Sequence, residues 1–205
     1  MVSNNTGRMA RFLAQRYYPV VGHLFSPGGQ RGPVDTFPYA LDNGCFTRWD
    51  PKRFINLLDW ASSKGQAPKW VCVPDVVGNP TETLARWRHW APYLKDNYEI
   101  PLALAVQDKV KTWEIDALRP RPDLIFVGGH TRWKWETAAW WCREYPRVHI
   151  GRVNQPEKLW RIQSWGAESC DGTGWFRGDR RQLRGLVQFL RQRLPERFKI
   201  FDAFQ

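Results

Sequence analysis

The chain has 205 residues, 42% of them hydrophobic, a length typical of one domain with a sizeable buried core. Its 31 Lys and Arg residues outnumber its 20 Asp and Glu residues, and the resulting formal charge of +11 attracts polyanions. The apolar stretches are too short to span a membrane, the first 15 residues lack the apolar core of a secretory signal, and the four cysteines lack metal-ligand spacing. We therefore expect a cytoplasmic protein with no membrane partner, no structural metal and no disulfide.

Apolar β-type runs alternate along the chain with helical patterns. The predicted strands are residues 20–25, 39–41, 70–73, 102–106, 124–127, 148–150 and a short strand ending at Cys170. The predicted helices are residues 51–63, 81–94, 111–118, 133–144, 156–165 and 180–194. Asp50 and Asn79 each precede a proline, which is typical of a capped helix start. Residues 198–204 could form an eighth strand with no helix after it.

This succession of βα units predicts an α/β protein with a parallel sheet. No internal repeat, linker or low-complexity tract divides the chain. We expect a single-domain, compact (βα)8 TIM-like barrel over residues 18–205, preceded by an N-terminal extension of residues 1–17. A doubly wound open sheet is the alternative.

Three aspartates stand where predicted strands end. Asp42 and Asp171 each precede glycine-containing turn sequence, and Asp75 follows the run Val71-Cys72-Val73-Pro74. Carboxylates repeated at strand ends indicate an active site built from several βα loops. The alternative for each one alone is a helix cap or turn residue, a position that Asp favours for its own hydrogen bonds.

The chain contains 13 tryptophans, many of them next to Arg or Lys, as in the segments 86–90 and 132–135. Arginine neutralises phosphates and indole faces stack on exposed bases, so the mixture favours a nucleic-acid partner. Most of these tryptophans are expected in the core and a minority on a binding face. A merely soluble basic protein is the alternative.

Six short motifs fall in order at the predicted strand ends. They are Leu41-Asp42-Asn43-Gly44-Cys45-Phe46, Val73-Pro74-Asp75, Ala105-Val106-Gln107, Val127-Gly128-Gly129, Val148-His149-Ile150-Gly151-Arg152-Val153 and Ser169-Cys170-Asp171. Over roughly residues 18–175 the chain resembles the queuine/archaeosine tRNA-guanine transglycosylases. It more closely resembles their shortened relatives, which insert 7-deazaguanine bases into DNA.

The resemblance implies an enzyme that exchanges guanine for a 7-deazaguanine through a covalent aspartyl-sugar intermediate. By its motif Asp171 is the nucleophile and Asp42 the general acid/base. Phe46 and Ile150 would sandwich the base. The other implied substrate-binding residues are Asp75, Gln107, Gly128, Gly129 and Gly151, with the backbone N–H groups of Gly128 and Gly129 facing the base carbonyl. No cofactor is implied, and the partners are a nucleic acid and the free base.

Two differences between this sequence and the family bear on which nucleic acid is the substrate. The family's zinc-binding module is absent, and Gly172-Thr173-Gly174-Trp175 replaces the Pro-Thr-Arg that follows the family nucleophile. DNA is therefore favoured over tRNA, in a bacterial cell or a phage-infected host. The expected phosphate contacts are Arg132, Lys134, Arg152, Arg177, Arg180 and Arg181. A tRNA-guanine transglycosylase, a hydrolytic glycosylase and a non-catalytic nucleic-acid-binding barrel stay open, as does the need for a partner protein.

Overall fold

The computed structural model describes residues 2–3, 8–29, 38–176 and 180–193. The strands are β1 (Val2–Ser3), β2 (His23–Phe25), β3 (Tyr39–Leu41), β4 (Val71–Cys72), β5 (Leu102–Val106), β6 (Leu124–Val127), β7 (Val148–Ile150) and β8 (Ser169–Cys170). The helices are α1 (Arg8–Arg16), α2 (Pro51–Ser62), α3 (Pro80–Asn97), α4 (Thr112–Asp116), α5 (Thr131–Glu144), α6 (Pro156–Ser164) and α7 (Arg180–Arg193).

The strands form one parallel sheet in chain order, β1 to β8. Seven of them, β2 to β8, make a curled half-barrel, and the two-residue strand β1 pairs with the outer edge of β2. The prediction of an α/β parallel fold is confirmed, but the expected closed eight-strand barrel is wrong. Within the described ranges no pairing joins β8 to β1, so the sheet stays open there. The strands follow chain order from one edge of the sheet to the other, whereas a doubly wound sheet has a point at which the strand order reverses. Residues 198–204, considered as an eighth strand, lie outside the described residues.

Most predicted elements agree with the structure to within three residues, and β3, β5, β6 and β7 agree at both ends. The two predicted helix starts are confirmed by their caps. The side chain of Asp50 accepts a hydrogen bond from the amide of Arg53, and the side chain of Asn79 accepts one from the amide of Glu82. A proline follows each cap, where its missing N–H costs no helical hydrogen bond.

The first 17 residues contain β1 and α1. Leu13 of α1 and Tyr17 after it are buried in the main core. In the described parts of the chain no helix is both long and apolar enough to cross a membrane.

Two hydrophobic clusters lie on opposite faces of the sheet. Alternate residues of β5 show the division, because Leu102, Leu104 and Val106 pack toward the helices while Ala103 and Ala105 face the inside of the curl. The inner cluster consists of Leu24, Ala40, Trp70, Cys72, Ala103, Ala105 and Leu124, with Phe126 against it. Leu24, Cys72, Ala105 and Phe126 of this cluster line an open space inside the curl.

Tryptophan supplies much of the outer core, as the sequence predicts. Twelve of the 13 pack in the two clusters, and Trp113 is the exposed one, at 69%. Several cations stack on these rings, among them Arg86 on Trp49 and Lys158 on Trp135. The alternation of Trp with Arg and Lys is thus in large part a packing feature.

Candidate active site

A cavity of about 530 Å³ opens at the carboxyl ends of the strands. Parallel strands place their following loops at this edge, which is why residues far apart in sequence meet there. Of the predicted site residues, those lining the cavity are Asp42, Phe46, Asp75, Gln107, Gly128, Gly129, Arg152 and Asp171. The structure therefore brings together three aspartates from three strand ends.

Asp171 follows β8 and is 6% exposed. Its Oδ1 accepts a hydrogen bond from the backbone amide of Arg152 at 3.0 Å and lies 3.1 Å from Nε2 of His149. Burial alone raises the pKa of Asp171, but His149 and the Arg152 amide outweigh it, so the pKa is held below its ordinary value. Asp171 is a carboxylate at neutral pH, the form in which it can attack.

Asp42 follows β3 and has a different environment. Its Oδ2 accepts one hydrogen bond from Oγ of Ser26, at 2.9 Å. Burial, reinforced by the negative charges of Asp171 and Asp75, outweighs that bond and a backbone hydrogen bond from Asn43, and raises the pKa of Asp42 to about 6. This carboxyl can hold or release a proton near neutral pH.

Asp75 is held between two amide side chains from neighbouring loops. Oδ1 accepts a hydrogen bond from Nδ2 of Asn43 at 2.9 Å, and Oδ2 accepts one from Nε2 of Gln107 at 2.6 Å. The amide of Gly78 donates to Oε1 of Gln107, which fixes the orientation of that side chain. Burial raises the pKa of Asp75 despite these bonds. The result is a rigid set of donors and acceptors on one wall of the cavity.

Arg152 lies in the loop after β7 with a backbone φ of +58°. Its guanidinium donates to the carbonyl of Gly129 and stands 5.4 Å from the ring centre of Phe46, which is 67% exposed. A cation and an exposed aromatic ring therefore meet at one side of the cavity. Such a pair suits a flat, electron-rich ligand or a nearby phosphate.

Three predicted substrate contacts are placed differently. The side chain of Ile150 belongs to the core between the sheet and the helices, because alternate residues of β7 face opposite sides and His149 takes the inner position. Phe126 lines the cavity, whereas Ile150 does not. The backbone amides of Gly128 and Gly151 both donate within the sheet, to the carbonyls of Val106 and Val127. They are not available to a base carbonyl.

The predicted phosphate contacts are dispersed. Lys134 is 1% exposed, and its Nζ donates to the carbonyl of Gly151 at 2.5 Å. This hydrogen bond stabilises the loop after β7. Burial and the charge of Arg152 lower the pKa of Lys134 to about 8. Arg132 is exposed and pairs with Glu136, and Arg180 and Arg181 are exposed at the start of α7. Arg177 lies outside the described residues.

The structure adds residues to which the sequence analysis assigns no role. Ser26, Asn154 and Thr173 line the cavity, Asn43 joins two loops, and His149 contacts Asp171. One sequence signal was available for His149, since a histidine between Val148 and Ile150 takes the opposite face of a strand whose two neighbours are apolar.

No cluster of three or more His, Cys, Asp or Glu side chains within the described ranges could hold a metal ion. The cavity instead offers a carboxylate, a carboxyl with a raised pKa, amide groups and one guanidinium. These groups suit a reaction that needs a nucleophile and a proton shuttle.

No family model and no curated protein matches this chain.

Proposed function

We propose that this protein is a transglycosylase that replaces a guanine in a nucleic acid, DNA being favoured, with a 7-deazaguanine base. The observation that carries the proposal is the pair Asp42 and Asp171, two carboxyl groups on one cavity with opposite pKa shifts. Acids whose environments separate their pKa values in this way take different roles in catalysis. The strand-end motifs that resemble the guanine transglycosylases assign the same two roles.

In the first half-reaction, a carboxylate oxygen of Asp171 forms a bond to the anomeric carbon of the sugar while the glycosidic bond to guanine breaks. The electron pair of the broken bond stays with guanine, which receives the proton of Asp42. In the second half-reaction, the incoming base gives a proton to Asp42 and its nitrogen displaces Asp171 from the sugar. Two displacements retain the configuration of the sugar, as in retaining glycosidases.

Base recognition is assigned to the wall formed by Asp75, Gln107 and Asn43. A guanine edge presents two N–H donors and a carbonyl acceptor, which match the carboxylate of Asp75 and the amide of Gln107. Phe46 and Phe126, both lining the cavity, supply aromatic surface in place of the Phe46 and Ile150 pair expected from sequence. A volume of about 530 Å³ is that of an ordinary small-molecule site.

A base inside a duplex must leave the stack to enter this cavity, at a cost of a few kcal/mol. Arg152, the predicted phosphate contact that lines the cavity, supplies positive charge for a flanking phosphate. DNA is preferred over tRNA because Gly172-Thr173-Gly174-Trp175 stands where the family has Pro-Thr-Arg after its nucleophile.

The test is incorporation of radiolabelled 7-deazaguanine, and separately of labelled guanine, into duplex DNA and into tRNA. We expect label in DNA, dependence on Asp171, and equal activity in the Asp96→Asn variant, whose aspartate is exposed on α3. Label in tRNA alone would show that tRNA, and not DNA, is the polymer that the protein modifies. Base release without incorporation would indicate a hydrolytic glycosylase, and binding with neither outcome would overturn the enzymatic proposal.

A further inference from the structure

His149 is a fully buried histidine on the inner face of β7 whose two ring nitrogens both have partners. Nδ1 lies 2.8 Å from Oγ of Ser169, and Nε2 lies 3.1 Å from Oδ1 of Asp171. Ser169 and His149 are direct neighbours in the β7–β8 register, and Asp171 follows two residues after Ser169. The short strand β8 and the residue after it therefore supply both hydrogen-bond partners of the histidine.

The surroundings hold the imidazole in one place. The ring of Trp70 lies 4.7 Å from it in an edge-on contact, and the ring of Phe126 lies 4.6 Å away on another side. The imidazole cannot turn away from Asp171 without displacing these large side chains. The direction of its Nε2 is thus set by the packing of the inner cluster.

The hydrogen-bond partners select one tautomer. Burial lowers the pKa of His149, so the ring is neutral at pH 7 and carries one N–H. A carboxylate only accepts hydrogen bonds, whereas the Ser169 hydroxyl can either donate or accept. The arrangement that satisfies both contacts has the hydroxyl donating to Nδ1 and the Nε2–H donating to Asp171.

Other charged or titratable groups also act on this pair. Asp171 interacts with Asp42 after β3, Cys72 of β4, Lys134 of α5 and the backbone amide of Arg152, while His149 also senses Glu168 beside β8. Of the side chains named, only that of His149 stands at hydrogen-bonding distance from the Asp171 carboxylate. Removing its N–H therefore changes Asp171 directly.

We propose that His149, oriented by the Ser169 hydroxyl, is a positioning residue that holds the Asp171 carboxylate ionised and at a fixed angle in the cavity. The proposal deepens the proposed function, because the role of Asp171 as nucleophile rests on it. Both hydrogen bonds described for Asp171 converge on Oδ1. They fix one side of the carboxylate, so that its rotation is set before substrate enters.

The primary test follows the ionisation of Asp171 itself, with no substrate. Protein labelled with ¹³C at aspartate carboxyls is titrated by NMR, and the Asp171 signal is assigned as the one missing from Asp171→Asn. We expect the Asp171 pKa to rise in His149→Leu, which removes the N–H donor. It should rise less in His149→Gln, whose amide N–H can replace the donor, and in Ser169→Ala, which removes only the tautomer selection. An Asp171 pKa in His149→Leu equal to that of the wild type overturns the proposal.

Two controls separate positioning from a general loss of packing. Val148→Ala removes apolar contacts on the opposite face of the same strand, and it should lower the melting temperature without moving the Asp171 titration. Ser169→Thr retains the hydroxyl and should keep the wild-type titration. A Val148→Ala variant that moves Asp171 as far as His149→Leu does would show that packing, not the imidazole, sets its ionisation.

The exchange reaction supplies a second readout. In His149→Leu the acidic limb of the pH–rate profile should move to higher pH, with a loss of up to about a hundredfold in rate from the misplaced nucleophile. If NMR shows the expected rise but no variant, including wild type, exchanges bases, the proposed function fails and the positioning role stands. If wild type exchanges bases and NMR shows no rise, the positioning role fails alone.

Discussion

Asp42 and Asp171 are the same residue type, stand at the ends of two strands of one sheet, and line one cavity, yet their surroundings act on them in opposite directions. Asp171 has a backbone amide and an imidazole at one oxygen, whereas Asp42 has a serine hydroxyl, a backbone hydrogen bond from Asn43 and two neighbouring carboxylates. Both are buried, and burial favours the neutral acid. The difference therefore comes from the charged and polar neighbours: His149 and the Arg152 amide favour the anion of Asp171, whereas the charges of Asp171 and Asp75 disfavour the anion of Asp42.

This contrast explains how one cavity can hold a nucleophile and a proton carrier. Hydrogen bonds from His149 and the Arg152 amide stabilise the anion of Asp171, whereas burial and two neighbouring carboxylates leave Asp42 holding its proton more tightly. The same contrast separates the contributions of the two residues to stability. Ionisation of Asp42 lowers the free energy of unfolding, whereas ionisation of Asp171 does not.

The largest expected effect is that of Asp171→Asn. Loss of the nucleophile should lower the rate of base exchange by about 10⁴-fold or more, because no covalent intermediate can form. Single-turnover exchange measures this loss, and trapping of a protein–DNA adduct on denaturing gels should disappear with it. Circular dichroism checks that the variant is folded, and Asp96→Asn is the matched control. Wild-type exchange in Asp171→Asn would remove this residue from the mechanism.

Asp42→Asn should slow guanine release by about 10²- to 10⁴-fold, because no group then protonates the departing base. In the wild type, guanine release in a single turnover should fall as the pH rises through about 6, where Asp42 loses its proton. The variant should lack this falling limb. A limb near pH 6 that persists in Asp42→Asn would assign it to another group.

Stability should reveal the same contrast without substrate. The pKa of Asp42 is about 6 in the folded protein against an ordinary value of 3.8, so the native state binds the proton more tightly. The contribution of Asp42 is then favourable below about pH 4 and is lost as the pH rises through 6. Asp42→Asn should exceed the wild type in free energy of unfolding by about 3 kcal/mol at pH 8, and by little at pH 4.

Urea unfolding at several pH values measures this difference, with Asp171→Asn as the opposite case. The pKa of Asp171 is lowered by its hydrogen bonds, so its contribution is present above its ordinary pKa and is lost as the pH falls. The deficit of Asp171→Asn should accordingly grow with rising pH. If the free energy of unfolding of both variants, relative to the wild type, changed in the same direction with rising pH, the contrast between the two sites would be refuted.

The smallest expected effect is that of Ser26→Ala. The Ser26 hydroxyl donates to Oδ2 of Asp42 and stabilises its anion, so its removal should raise the pKa of Asp42 further. The falling limb of guanine release should move to higher pH, with a rate change of less than about tenfold. Ser26→Thr retains the hydroxyl and is the control. An unmoved limb in Ser26→Ala would mean that this bond does not tune Asp42.

Much of the site could be predicted because its residues stand at strand ends. The apolar run before Asp42, with Gly44 after it, marks both the strand and the loop that leaves it, and this local pattern is enough to locate Asp42. Asp171 follows the polar strand Ser169–Cys170, so only the motif around it indicated a strand end there. The alternation of side chains along a strand decides which side each residue faces, and at β7 it places His149 inside and Ile150 outside. Ile150 was expected at the cavity because motif position alone does not specify the face.

The phosphate contacts were less predictable, since a lysine looks the same in sequence whether it is exposed or buried. Lys134 is buried because α5 directs it at the carbonyls of Gly151 and Arg152, which satisfy its ammonium group. Closure of the barrel was also beyond the sequence pattern. Strand succession gives the order of a parallel sheet, but whether its two edges meet depends on tilt and stagger around the whole curl.

The amino-acid sequence by itself determined the order of strands and helices, the capped helix starts and the presence of acids at one edge of the sheet, because these depend on local periodicity and turn chemistry. Tertiary structure alone decided the ionisation of those acids. Apart from the backbone of Asn43 beside Asp42, the groups that set it lie 16 or more residues away in sequence: His149 and Arg152 for Asp171, and Ser26, Asp75 and Asp171 for Asp42. Electrostatic interactions depend on distance in space and on exclusion of water, and only the folded sheet supplies both.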